Sequence, residues 1–310
     1  MAPAYKSGAV VFLRHKLFMT KITSNILVLI IAIAPIGASG CAATSMLIGK
    51  PHISNHIAGE AGFEEKYVTV NNFTLKTYRR FQSPCENLRV YIEGDGKAWK
   101  TRSMLSDDPT PSNPIALRLA VIDSHESVAY IARPGQFPVS DAPRCDPIYW
   151  SERRFAPEVV EAVDKAIDMA KQDACARRVE IVGYSGGAAL AVLVAAGRED
   201  VASIRTIAGN LDHIAAGKYH GVSPLKGSLN PIDFASAVAK VPQRHFVGSR
   251  DRIIPSSIAE SFVRMEGDKD FERITVVKGA THKDGWCERW AELLLVEPSM
   301  VRGLLEEQGR

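Results

Sequence analysis

Gly183-Tyr184-Ser185-Gly186-Gly187 has the form G-x-S-x-G, and its local context gives it a chemical use. Val179-Glu180-Ile181-Val182 alternates like a strand just before it, and the uncharged run Ala188 to Ala196 reads as a helix just after it. A serine on a sharp strand-to-helix turn has its hydroxyl pushed out above a sheet, and small neighbours are needed where the chain crosses itself. Such a hydroxyl is a poor nucleophile until a base takes its proton and an anion orients that base. Of the seven histidines after residue 50, His52 and His56 fall in a polar linker, His125 at the wrong end of a strand, and His245 inside one. His213, His220 and His282 remain, and His282 follows the last strand in Val277-Lys278-Gly279-Ala280-Thr281-His282. Asp251 and Asp212, each closing a strand, are the candidate acids. The chemistry these residue types suit is nucleophilic acyl transfer; the bland alternative is a glycine turn and two loop aspartates.

The elements that must position them follow from periodicity. Tyr67–Val70 and Thr74–Phe81 read as a hairpin across Asn71-Asn72. Strands are expected at 88–92, 128–132, 179–182, 202–208, 245–248 and 274–277, which makes eight with the hairpin. Helices are expected at 115–122, from Pro157 onward, at 188–196, and near 256–265 and 284–296. A hairpin followed by repeated strand–helix units predicts an α/β domain whose mostly parallel sheet has helices on both faces. The longer excursions, 95–113, 134–154 and 210–240, all follow strand C-termini, the edge where such sheets carry their sites. The last is too short for a large cap.

From about Tyr67 to the C-terminus the chain resembles a compact α/β-hydrolase, and within that superfamily it is similar to a poorly characterised group of bacterial envelope hydrolases. The residues that carry the resemblance are Tyr91-Ile92-Glu93-Gly94-Asp95-Gly96, Asp108-Pro109-Thr110-Pro111, Ala132-Arg133-Pro134, Arg154-Phe155-Ala156-Pro157 and the Ser185 turn. The resemblance implies a triad in the chain order Ser185, Asp251, His282: nucleophile, orienting acid, and general base. Asp212 stays as the alternative acid. It also implies an oxyanion hole from the backbone N–H of Gly186 and a second N–H in the Glu93–Gly96 loop, either Asp95 or Gly94. Asp95 is awkward there, because its carboxylate would repel an oxyanion unless turned away. The sheet order implied by the resemblance, 1-2-4-3-5-6-7-8, sets the third and fifth strands side by side and suggests a Cys85–Cys175 disulfide. Relatives often carry Cys at the place of Gly135, so Cys145 is expected to be unpaired.

Composition excludes some classes. Lys6, Arg14, Lys16 and Lys21 are the only charged residues of the first 40, and 38 less 4 leaves 34 basic against 35 acidic residues elsewhere. That balance, with no basic stripe, gives nucleic acid no electrostatic footing. His52 and His56 have the spacing H-x-x-x-H, but they stand in the polar tether, where such histidines are more often solvated than metal-binding, and neither metal nor cofactor is expected.

The N-terminal basic stretch, the apolar run Ile26–Ala34 and Ala38-Ser39-Gly40-Cys41 read as a signal peptide of lipoprotein type. Met19 makes a plausible alternative start. Residues 1–40 are expected to be the signal, 41–65 a tether and 66–310 the domain. Lipidation at Cys41 would put the protein at the periplasmic face of the cell envelope, and resemblance to enterobacterial lipoprotein sorting implies that Ala42 favours the outer membrane. The sequence thus predicts an envelope serine hydrolase acting on a small-molecule or lipid acyl ester. A peptidase or amidase, or a non-catalytic binding module, are the alternatives.

Overall fold

The computed structural model describes residues 52–139, 142–269 and 271–301. The expected signal segment, the lipidation site Cys41 and the first part of the tether fall outside the described residues. The remainder of the tether does not behave as one. Helix α1 (Ile53–Glu60) docks through buried Ser54 and Ala58 and continues into strand β1 (Glu64–Val70). The Tyr78 hydroxyl donates to Ser54 Oγ at 2.9 Å and Lys76 Nζ to Asn55 Oδ1 at 2.6 Å, so buried polar bonds hold this helix in place.

Strand β2 (Phe73–Arg80) completes the hairpin, followed by β3 (Asn87–Ile92), α2 (Ile115–Ile122), β4 (Val128–Ile131) and α3 (Pro157–Asp173). The elbow strand β5 (Arg178–Tyr184) and helix α4 (Gly186–Ala195) come next, then β6 (Val201–Ile207), α5 (His213–His220) and α6 (Ala235–Val238). Strand β7 (Gln243–Gly248), α7 (Ser256–Met265), β8 (Ile274–Val277) and α8 (Trp290–Leu294) close the chain. The sheet order is β1-β2-β4-β3-β5-β6-β7-β8, antiparallel around β2 and parallel from β4 onward.

Alternation along the strands builds a core on each face. Val90, Ile92, Val179 and Ile181 pack under α3 and α4, while Tyr91, Val182 and Tyr130 face α2 and α8. Helix α4 is buried along its whole length, which is why its sequence shows no polar face.

As expected of a segment too short for a large cap, the 210–240 excursion holds α5, a 3₁₀ turn at Pro231–Phe234 and α6. Two expectations change here. The last helix is short: a turn through Gly285 and a 3₁₀ segment at Cys287–Arg289 precede α8. Cys85 and Cys175 lie at the same end of adjacent strands, but both thiols are free, as is Cys145. Cys85 is buried with Sγ 3.7 Å from the Ala174 carbonyl, whereas Cys175 sits exposed in a turn at φ 49°.

Candidate active site

Ser185 has φ 52° and ψ −115°, a strained conformation for a residue with a side chain. Its turn is stitched to β6: Ser185 N–H donates to the Ile207 carbonyl at 2.9 Å, and Asn210 N–H to the Ser185 carbonyl at 3.1 Å. The close crossing explains two of the glycines. A Cβ at Gly187 would lie 2.2 Å from the Ile92 carbonyl oxygen, and one at Gly183 would lie 2.5 Å from Ala188 Cα. Neither position can hold a larger residue without moving backbone.

His282 lies beyond β8 with Nε2 3.0 Å from Ser185 Oγ and Nδ1 2.8 Å from Asp251 Oδ2. An ionised carboxylate only accepts, so the proton belongs on Nδ1 and Nε2 is left to accept from the serine hydroxyl. Asp251 is itself aimed: its other oxygen accepts from Ile253 N–H at 2.8 Å and Ile254 N–H at 2.9 Å, in a side chain with no exposed surface. The His282 carbonyl accepts from Tyr184 Oη at 2.9 Å and Trp286 Nε1 at 3.1 Å, which fixes the histidine's backbone.

The other candidates are placed elsewhere. Asp212 caps α5, accepting from Ile214 and Ala215 N–H and from Asn230 Nδ2, so the alternative acid is a helix cap. His213 is buried against the Phe155 ring, and His220 Nε2 donates to the Ile253 carbonyl. Neither reaches the serine.

In the Glu93–Gly96 loop, Glu93 makes Gly94 N–H and Asp95 N–H unlike. Its Oε1 accepts from Gly94 N–H at 2.9 Å and Ala116 N–H at 3.4 Å, and its Oε2 from Tyr130 Oη at 3.2 Å. Gly94 N–H is therefore occupied, while among the described residues neither Asp95 N–H nor Gly186 N–H has a protein acceptor. The Asp95 carboxylate is turned aside, with Oδ1 2.9 Å from Arg133 Nη1 and Oδ2 2.9 Å from Arg154 Nη1. Burial raises the Asp95 pKa, but the Arg154 and Arg133 guanidinium groups outweigh it and hold the carboxyl below the ordinary value. Arginines 133 and 154 carried no role in the sequence reading, although both stand in the motifs quoted there.

Burial pushes the Glu93 carboxyl up to about 7 from 4.5, against hydrogen bonds from Gly94, Ala116, Leu117 and Tyr130 that pull it down. A carboxyl whose folded pKa is raised holds its proton in the fold after the unfolded chain has released it. Stability should therefore fall as pH rises from 4.5 to 7 and level off above, by about 3 kcal/mol at 1.36 kcal/mol per pH unit. Glu93→Gln should remove this slope, matching wild type at pH 4.5 and exceeding its urea midpoint at pH 8. Equal midpoint differences at the two pH values would contradict it.

A cavity of about 460 Å³ lies nearby, lined by Ile57, Ile115, Arg118, Ile122, Lys283 and Cys287 among others. It borders the turn after His282, yet neither Ser185 nor His282 lines it. The hydrogen-bonded line Asp251–His282–Ser185 lies outside this cavity's lining.

No protein-family model matches the chain, and no curated protein matches it in sequence. Solved structures do match in shape. An α/β hydrolase from a Penicillium species superposes with TM-score 0.53 at 12% identity, covering 75% of this chain and 95% of its own. An esterase of Pyrococcus furiosus gives 0.52 at 11%, covering 76% and 91%. An α/β serine hydrolase homologue of Coxiella burnetii gives 0.50 at 16%, covering 75% and 95%. The fold is that of the α/β hydrolases.

Proposed function

We propose that this protein is a serine hydrolase that cleaves a carboxylic ester, or a related acyl substrate, through an acyl-enzyme. The observation that carries the reading is the single line of contacts from Asp251 through both nitrogens of His282 to Ser185 Oγ. Ser185 Oγ attacks the substrate carbonyl carbon as its proton passes to His282 Nε2. The buried Asp251 carboxylate stabilises the imidazolium so formed. The carbonyl oxygen becomes an oxyanion facing Gly186 N–H and Asp95 N–H, donors that are already oriented and need no reorganisation. Collapse expels the alcohol, which takes the proton from Nε2, and a water then repeats the sequence to free the acid and regenerate the serine.

The test is a panel of p-nitrophenyl esters of increasing acyl length, beside a matched p-nitroanilide, given to the full chain. A burst of nitrophenol stoichiometric with protein, followed by slower turnover, is expected on at least one ester. Faster release from the anilide than from every ester would favour an amidase. Correctly folded protein that releases nothing from any member would sink the enzyme reading and leave a binding module.

The envelope location belongs to the same proposal and rests on the lipoprotein-type sequence ahead of Cys41. Acyl chains attached there add about 0.8 kcal/mol of membrane affinity per buried methylene, enough with more than one chain for stable anchoring. In a bacterial host, Cys41→Ala should move the protein from the membrane fraction into the soluble fraction. Equal membrane retention of both forms would contradict lipidation at that residue.

A further inference from the structure

Two backbone N–H groups face the oxyanion in the reading above, and only one of them, Gly186, is held by the helix it begins. The other, Asp95 N–H, belongs to a loop outside any strand or helix. An N–H in a loop contributes to a transition state only if its direction is fixed before the reaction begins. Three side chains outside the triad supply that constraint.

Gln136 Nε2 donates to the Gly94 carbonyl at 2.9 Å. That carbonyl and Asp95 N–H are the two ends of one peptide group, which is planar and trans, so pulling the oxygen one way aims the N–H the other way. Gln136 is itself buried and held by Arg133, whose backbone N–H donates to Gln136 Oε1 at 3.1 Å. The side chain of Asp95 is gripped separately. Arg133 Nη1 takes Oδ1 and Arg154 Nη1 takes Oδ2, each at 2.9 Å. The two arginines are tied to each other as well, since Arg133 Nη2 donates to the Arg154 carbonyl at 2.5 Å. Arg133 is buried with its guanidinium 5.3 Å from the centre of the Phe155 ring. A Cβ at Gly186 would fall 2.1 Å from Asp95 Oδ1 and 3.0 Å from Arg133 Nη1, so the Asp95–Arg133 pair of the clamp lies against the residue that follows the nucleophile.

We infer that Arg133, Gln136 and Arg154 are positioning residues of the oxyanion hole, aiming the Asp95 N–H by gripping the Asp95 carboxylate and the Gly94 carbonyl. The clamp also answers the charge problem of an aspartate at this place. Two guanidinium groups against one carboxylate leave a net positive charge beside the developing oxyanion, where low dielectric makes it count. The inference rests on the serine-hydrolase reading.

The experiment compares the full-length wild type with Gln136→Met, Arg154→Gln and Arg154→Lys on the ester that wild type cleaves fastest. Removing an oxyanion donor outright costs on the order of 10²- to 10³-fold in kcat, and misaiming one should cost on the order of 10- to 100-fold. Gln136→Met and Arg154→Gln should lose that much in kcat with KM within about threefold, because the donor acts on the transition state. Arg154→Lys should recover part of the loss by restoring the charge. Affinity for a peptidyl or alkyl trifluoromethyl ketone, which forms the tetrahedral adduct on Ser185, should fall in step with kcat.

Arg133→Gln leaves a buried carboxylate half-paired and could fail to fold. The Gln136 and Arg154 variants, checked by thermal midpoint, keep the test decisive in that event. Folded variants with wild-type kcat, or with losses confined to KM, would overturn the positioning role while leaving the hydrolase reading intact. A wild type that cleaves no ester would overturn both.

Discussion

Ser185→Ala should lower kcat by at least 10⁴-fold on any ester the wild type cleaves, with KM little changed and the fold intact. The magnitude follows from what is removed: the one oxygen hydrogen-bonded to His282 Nε2 among the described residues, at 3.0 Å, and with it the covalent route. What survives is binding and the oxyanion donors, which in triads of this kind retain on the order of 10³- to 10⁴-fold over water. His282→Ala should cost about as much, because serine and base act as one unit. The double variant Ser185→Ala with His282→Ala should then be no worse than either alone. Additive losses, or a Ser185→Ala protein within tenfold of wild type, would place the chemistry elsewhere. Stability should move little, since Ser185 contributes to the turn through its backbone, which alanine retains, although alanine must adopt the same positive φ.

The second large effect separates the two aspartates. Asp251→Asn should lower kcat on the order of 10⁴-fold, although it changes one atom and no shape. Asparagine can keep the carbonyl-side contacts to the Ile253 and Ile254 N–H groups. Its amide nitrogen would then face His282 Nδ1 as a donor, forcing the imidazole proton to Nε2. The base would present a proton to Ser185 where it must present a lone pair. Asp212→Asn should stay within a few-fold of wild type, because asparagine caps a helix as well as aspartate does. The reverse pattern, with Asp212→Asn inactive and Asp251→Asn active, would overturn the assignment. Rates measured on purified protein with matched thermal midpoints decide it.

Much of the frame was legible because strands announce themselves by alternation and helices by their period. Helix boundaries at 115–122 and 256–265 agree to the residue with α2 and α7. The residues of the proposed triad could be narrowed because each had to follow a strand C-terminus. What stayed hidden depends on side chains folding back on distant backbone. Helix α1 is eight residues long, with a single glycine and no clear apolar stripe; it is held by Tyr78 and Lys76 from the following hairpin, which no local pattern shows. Helix α5 has alanines, a glycine and two histidines in place of a clear apolar stripe. The choice between Gly94 and Asp95 turned on the Glu93 carboxylate bending back over its own neighbour. The clamp joins residues at 95, 133, 136 and 154, which only the parallel packing of β4 beside β3 brings together.

The central claim is that Ser185 is an activated nucleophile, and a fluorophosphonate probe tests it most directly. The full chain is incubated with the probe, and intact mass followed by peptide mapping locates the adduct. One adduct per chain is expected, on the peptide that contains Ser185, absent from Ser185→Ala and strongly slowed in His282→Ala. Folded wild-type protein that takes up no probe, or that is labelled equally after Ser185→Ala, would contradict the account.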